Sequence, residues 1–392
     1  MRLRATYWIE TSWPVEQAAE IMAGEQSSGT FVRVPGETDE LRERHAARVE
    51  AIRLLEPAAA PSLPGARRKG DVWHRAEVDV SWPLENMGVS LPNALATVAG
   101  NLSELAPLSG WRLLDVAFPE SYLDKYAGPQ FAIEGTRRFT QVQGRPLVGT
   151  IVKPSVGLSP EATGAMAGQL ADAGIDFIKD DELQADGPHC PFEARVDAVM
   201  RALKGRPVMY AFNITGELDE MLRRHDYVAK AGGSCVMVSV NSVGLPGVVA
   251  LRRHASLVIH GHRNGWGMLG RSPAIGMSYV AFQKFWRVAG VDHMHVNGLR
   301  NKFCEDDASV IASARACLAP MFARQGCQIM PVFSSGQWAG QAEDTWKALG
   351  SIDLIHACGG GIMAHPGGAA AGVRSIQLAW EAAVAGVPFD VA

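Results

Sequence analysis

In the segment "DFIKDDE" (176–182), Lys179, Asp181 and Glu182 follow directly on an apolar pair that reads as the end of a buried strand. Residues two apart on a strand share a face, so Lys179 and Asp181 point the same way, and Glu182 can turn in where the strand stops. Two converging carboxylates suit a hard divalent cation such as Mg2+, held by oxygen ligands and waters. The lysine has two uses there. As an ammonium it neutralises a carboxylate; as a neutral amine it can take up CO2 as a carbamate and offer a third oxygen ligand. A salt-bridged strand end that caps the next helix is the structural alternative.

Other short apolar runs also end in groups that could do chemistry. "GTIVKP" places Lys153 where it could meet an anionic oxygen or donate a proton. "IHGHR" offers His260 and His262 on one face with Arg263 beyond, and "HMH" repeats the arrangement with His293 and His295. Paired histidines suggest zinc, but only one of each pair need reach a site, and a barrel histidine is often a satisfied core residue. "CGGGIMAHPGG" reads as a cradle of backbone amides for phosphate at a helix start. Arg300 and Lys302 could bring a mobile cation to a phosphate or a developing carboxylate.

These groups need a frame that aims them at one place. From about Leu147 onward, eight apolar runs alternate with helix-length amphipathic segments. In "SPEATGAMAGQLADAG", Ser159 is the expected N-cap, Pro160 the first helical residue and Gly174 the terminator. Buried strands alternating with helices imply a parallel sheet, and eight units fit a (β/α)8 barrel with its active site at the C-terminal mouths of the strands. An open doubly wound sheet fits less well, because no early GxGxxG is present. Residues 1–140 differ: "RATYWIE" and "WHRAEVDVSW" alternate like half-exposed strands, while "PVEQAAEIMAGEQSSG" and "SLPNALATVAGNLSEL" look helical. The expected division is an N-terminal α+β domain over 1–140 and the barrel over 141–392, with the join near Ala127–Gly149.

Composition narrows the partners. The chain has 392 residues, 20% of them charged, and a formal net charge of −4, which gives nucleic acid or an anionic membrane no electrostatic hold. Its six cysteines lack CxxC spacing, so neither a zinc site nor a disulfide framework is expected. No run approaches roughly 18 apolar residues and no signal-type leader opens the sequence. The expected location is the cytoplasm. Two enzyme readings compete: a Mg2+ enzyme acting on a phosphorylated keto sugar through an enolate, and a binuclear zinc hydrolase using HxH and a modified lysine. The hydrolase wants HxH on the first strand, whereas "HGH" here falls on the fifth. A barrel kept only for binding is hard to square with so many ionisable groups at one mouth.

"GTIVKPSVGLSP", "GIDFIKDDE", "HGHR", "DHMHVNG", "NKF", "FSSG" and "CGGGIMAHPGG" together resemble the RuBisCO large subunit and its RuBisCO-like relatives. "GEQSSGTF" and "GNLSE" resemble that family's N-terminal domain. The resemblance implies that Lys179 is carbamylated and, with Asp181 and Glu182, holds Mg2+. It makes Lys153 the proton-handling lysine, His262 an active-site histidine and Lys302 the flexible-loop lysine. Arg263 and His295 match one phosphate site, Ser334 a hydroxyl contact, and Gly336, Gly359, Gly360 and Thr30 the other phosphate site. Glu25 and Asn101 match residues that reach a neighbouring subunit's site, which implies a homodimer.

Departures accompany these matches. Ser155 stands where carboxylases carry a second lysine, and Ile151 replaces a threonine. Phe31 stands for a tryptophan, Ser335 for a glycine and Trp266 for a histidine. The chain is therefore expected to be a RuBisCO-like protein and not a carbon-fixing enzyme. Within that group the resemblance implies chemistry on 3-oxo-isoapionate 4-phosphate, as a decarboxylase or a transcarboxylase/hydrolase. The alternatives are a methionine-salvage isomerase or enolase acting on methylthioribulose 1-phosphate or diketo-methylthiopentyl phosphate. The salvage enolase type carries a lysine base near Asn101, and "AGNLSE" has none.

Overall fold

The computed structural model describes residues 1–28 and 34–389. Thr30 and Phe31 lie outside the described residues. The chain falls into two compact units, one comprising Met1–Tyr126, Gly265–Phe285 and Met321–Arg324, the other Ala127–Asn264, Trp286–Pro320 and the chain from Gln325 on.

In the second unit, eight short apolar runs become strands: Leu147–Ile151, Phe177–Lys179, Met209–Asn213, Cys235–Ser239, Val258–His262, His293–His295, Met330–Phe333 and Ile355–Ala357. They pair in parallel and close into a barrel, the last strand lying beside the first through Ile355 and Leu147. Alternate residues face inward, and Leu147, Phe177, Met237, Val258, Val332 and Ile355 fill the interior. The first helix, Pro160–Asp172, starts as its sequence dictates: Ser159 Oγ accepts from Ala162 N–H, and Gly174 follows the helix at φ +82°.

The N-terminal ends of the strands are pinned by buried carboxylates. Asp176, the first residue of the charged segment, accepts from both terminal nitrogens of Arg145 (2.6 and 3.0 Å) and from Val148 N–H (2.7 Å). Asp292 accepts from Phe131 and Ala132 N–H at 2.7 and 2.9 Å and from Arg252 at 3.0 Å. These bonds tie helix Ala132–Thr140 to the barrel unit, which begins at Ala127, ahead of the 140/141 division read from the sequence. An amphipathic helix shows its apolar face locally but not which sheet will cover it.

The first unit is built on a five-stranded sheet in the order Ile275–Met277, Leu108–Ala117, Arg2–Thr11, Trp73–Pro83, Arg48–Ala58. Arg48–Ala58 is an edge strand with mostly exposed residues and therefore shows no apolar alternation. Ile275–Met277 adds in parallel to Leu108–Ala117, so a segment following the fifth barrel strand contributes to this sheet. Trp266 lies in that segment, its ring 4.6 Å from Phe282 and 5.5 Å from Tyr279. Among the described residues no helix is long and apolar enough to cross a membrane.

Candidate active site

Strand alternation separates the acids of "KDDE". Lys179 and Asp181 turn into the barrel mouth, and both are essentially buried. Asp180 points the other way and accepts from Tyr210 OH (2.6 Å), Asn213 N–H (2.9 Å) and Arg195 Nε (3.3 Å). It anchors the strand end, and the sequence carried no sign of its partners, which lie 15 to 33 residues away.

Lys179 Nζ donates to Asp180 O at 2.8 Å and lies 3.5 Å from Glu182 Oε2. Burial lowers its pKa, although Glu182, Asp181 and Asp180 pull the other way, so the neutral amine is favoured relative to a lysine in water. Lys153, from the end of the first strand, donates to Asp181 Oδ2 at 2.6 Å and to Ser155 Oγ at 2.9 Å. Burial works against the Asp181 carboxylate, but hydrogen bonds from Lys153 and Leu183 N–H outweigh it and hold its pKa down. His262 Nδ1 accepts from Asn264 N–H, which leaves the proton on Nε2, 3.4 Å from Glu182 Oε2. Burial, with Lys179 nearby, lowers the His262 pKa to about 4.

Two carboxylates thus meet three nitrogens, from Lys153, Lys179 and His262. Asp181 and Glu182 converge as hard oxygen donors, which suits Mg2+, and Lys179 would change from a competing nitrogen to a third oxygen ligand if it took up CO2 as a carbamate. Gly359 closes this side: a Cβ there would lie 3.9 Å from Lys153 Cε. Gly359 and Gly360 open the short helix Gly359–Met363, and a Cβ at Gly360 would meet nothing within 4 Å.

Across the mouth, His295 Nδ1 is 2.9 Å from Ser334 Oγ. Arg263 donates to Glu305 Oε2 at 2.8 Å, and Asn297 donates to the same oxygen at 2.6 Å. Glu305 was not singled out from the sequence; the run "EDD" reads only as a solvated turn, yet its carboxylate occupies the guanidinium expected to hold phosphate. Ser335 Oγ donates to Asn297 Oδ1 at 2.8 Å. Ser335 sits at φ +71°, a conformation that favours glycine, the residue the family resemblance expects there. Gly336 follows at φ +87°, and the exposed Lys302 packs beside it, with Lys302 N–H donating to Ser335 O. Arg300 is drawn instead to Asp344, at 2.5 Å.

In the first unit, Glu25 ends helix Val15–Glu25 and Asn101 follows helix Leu91–Ala99. The residues beside them meet: a Cβ at Gly100 would sit only 2.3 Å from Gln26 Nε2. A further group that could hold a metal, His225, Asp226 and His254, lies on two outer helices. Ser256 N–H donates to His225 Nε2 at 3.2 Å, so the His225 proton sits on Nδ1, facing Asp226 at 3.0 Å. That imidazole has no lone pair left to offer.

Comparisons with known proteins agree along the whole chain. The profile for "Ribulose bisphosphate carboxylase large chain, catalytic domain" matches residues 132–391, and the corresponding N-terminal domain matches 5–122. A 3-oxo-isoapionate-4-phosphate transcarboxylase/hydrolase of Xanthobacter autotrophicus is 55% identical, over 99% of this chain and 95% of its own. A 3-oxo-isoapionate-4-phosphate decarboxylase of Rhizobium etli is 48% identical, over 98% and 94%. The crystal structure of a rubisco-like protein from Burkholderia fungorum superposes with a TM-score of 0.92 at 47% identity, covering 99% of this chain and 95% of that one.

Proposed function

The chain belongs to the ribulose bisphosphate carboxylase large-chain family, and from that premise we propose that it is a RuBisCO-like enzyme that removes or transfers the carboxyl group of 3-oxo-isoapionate 4-phosphate or a close phosphorylated keto-sugar acid, as a decarboxylase or a transcarboxylase/hydrolase. The observation that carries this reading is Lys153 held 2.6 Å from Asp181 with Ser155, not a second lysine, at its other side. This arrangement supports Lys153 as the proton-handling group beside a metal site, with Ser155 in place of the second cation that the resemblance gives carboxylases. The 55% identity to a transcarboxylase/hydrolase acting on this substrate supports the same class.

Lys179 as its carbamate, Asp181 and Glu182 would hold Mg2+, which when bound supplies electrostatic stabilisation to the negative charge that develops on the substrate's oxygens. Lys153, half-exposed toward the mouth, delivers a proton to the carbon left by the departing carboxyl group. His262 is kept neutral by its surroundings and donates its Nε2 proton toward the mouth, so it can bind a substrate oxygen without a full charge. Arg263 and Ser334 on one side and Gly336, Gly359 and Gly360 on the other bind the substrate's ends, His295 holding the Ser334 hydroxyl through Nδ1, with Lys302 as the mobile cation beside them. We also propose a homodimer in the cytoplasm, in which Glu25 and Asn101 serve the neighbouring subunit's site.

The deciding experiment is product NMR with Mg2+ and bicarbonate on ribulose bisphosphate, methylthioribulose 1-phosphate, the diketo salvage phosphate and 3-oxo-isoapionate 4-phosphate. Turnover of the last compound alone is expected, either by loss of its carboxyl carbon or by transfer of that carbon followed by hydrolytic cleavage. Fixation of CO2 into phosphoglycerate, or isomerisation or enolisation of the salvage compounds, would overturn the reading. For the assembly, mixing inactive Glu25→Gln and Lys179→Ala subunits should restore part of the activity; no recovery rules out shared sites.

A further inference from the structure

We propose that Thr136 sets the direction of a hydrogen-bonded chain that runs through His293, His260 and His295 to Ser334, and so makes the Ser334 hydroxyl an acceptor toward any ligand in the barrel mouth. The links are Thr136 Oγ1 to His293 Nε2 at 2.6 Å, His293 Nδ1 to His260 Nδ1 at 3.5 Å, His260 Nε2 to His295 Nε2 at 2.9 Å and His295 Nδ1 to Ser334 Oγ at 2.9 Å. All five residues are buried and belong to the barrel unit.

Each link needs one proton, and one end fixes them all. Thr136 Oγ1 lies 2.5 Å from Ala132 O, and a carbonyl carries no proton, so the hydroxyl hydrogen must lie between these oxygens. Oγ1 can then only accept, which puts the His293 proton on Nε2 and leaves Nδ1 as a lone pair. His260 must carry its proton on Nδ1, the less common form of a neutral imidazole, and His295 must carry its own on Nε2. Ser334 donates to His295 Nδ1 and keeps only oxygen lone pairs for the mouth. The other neighbour agrees. Glu305 can only accept, so Asn297 turns its amide nitrogen there and its oxygen to the Ser335 hydroxyl. Neither serine then has a proton left for the 3.4 Å contact between Ser334 and Ser335. Burial keeps the three imidazoles neutral: it lowers the pKa of His260 and His295, and that of His293 to about 3.

With Thr136 removed, the chain is free to run the other way. His295 would then donate from Nδ1 to Ser334, whose hydroxyl could donate outward. As built, Ser334 selects a ligand hydroxyl and disfavours an anionic oxygen. Thr136, His293 and His260 are positioning residues, since none of them reaches the mouth.

The test is long-range 1H–15N correlation of histidine side chains in the ligand-free, full-length protein at neutral pH, so it does not depend on the substrate. His260 should show its proton on Nδ1, with His293 and His295 protonated on Nε2. His225 and His45, whose Nδ1 faces Asn86 Oδ1 at 2.8 Å, are the other histidines expected with a proton on Nδ1, and His225→Asn and His45→Asn identify them. Thr136→Val should convert His260 to Nε2–H and His295 to Nδ1–H, and Thr136→Ser should keep the wild-type pattern. His260 protonated on Nε2 in the wild type, or identical tautomers in Thr136→Val, would overturn the proposal. If Thr136→Val does not fold, the wild-type spectrum decides by itself.

Discussion

Lys153 and Asp181 leave neighbouring strands of the barrel and meet at 2.6 Å, Nζ to Oδ2, inside the mouth. The ammonium therefore stands against one of the two carboxylates that would hold a cation, and one lysine is placed both to balance that charge and to move a proton. Replacing it by Met keeps the stem and removes the charge. Lys153→Met should lower kcat by about 10²- to 10⁴-fold with KM little changed. A rise in KM at constant kcat would make Lys153 a binding group only. Ser155→Ala removes one hydrogen bond from the same nitrogen and should cost about fivefold in kcat.

The proposed carbamylation of Lys179 can be tested without turnover. Protein equilibrated with 13C-bicarbonate and Mg2+ should show a carbamate carbon signal that is missing in Lys179→Met and fades when the metal is chelated. A signal that survives in the variant would place CO2 elsewhere.

Asp180 is a stability residue with a charged partner. Asp180→Asn leaves the buried Arg195 without its carboxylate and should cost about 3–5 kcal/mol in urea unfolding. Tyr210→Phe, which removes one neutral donor from the same carboxylate, should cost only about 1 kcal/mol. Equal losses would contradict the network.

Glu305 competes with an anionic ligand for Arg263. Glu305→Gln keeps the shape and an acceptor but removes the charge, so inorganic phosphate should inhibit about three- to tenfold more tightly, and the substrate KM should fall with it. Unchanged inhibition by phosphate would remove Arg263 from the anion site.

The buried histidines predict an acid limit. His293 and His356 are pushed by burial to about 3, far below the roughly 6.5 of an unfolded chain. Between those values the unfolded chain binds protons that the folded one refuses. The stability they confer is therefore complete above about 6.5 and is lost as the pH falls toward 3, at up to about 1.4 kcal/mol per pH unit for each imidazole. The urea midpoint should be level from pH 7 to 8 and drop on acidification; a midpoint level down to pH 4 would refute this.

Much of the site is written locally. A period of two within "FIKDDE" puts Lys179 and Asp181 on one side and Asp180 on the other, and each apolar run ending in Lys, His or Asn marks a strand mouth. Eight such runs, separated by capped helices, leave few ways to bury their faces other than the closed barrel observed. The division of the chain was less legible. Helix Ala132–Thr140 and strand Ile275–Met277 join partners more than a hundred residues away, and no pattern inside them says which.

The sequence by itself determined the kinds of groups at the mouth and the side of each strand they occupy, because alternation and capping act over a few residues. Only the tertiary structure decided which of them meet: Lys153 with Asp181, Arg263 with Glu305, and Thr136 with His293. These distances depend on strand register and barrel closure, which no single segment carries. The direction of the protons along the histidine chain depends in turn on those distances.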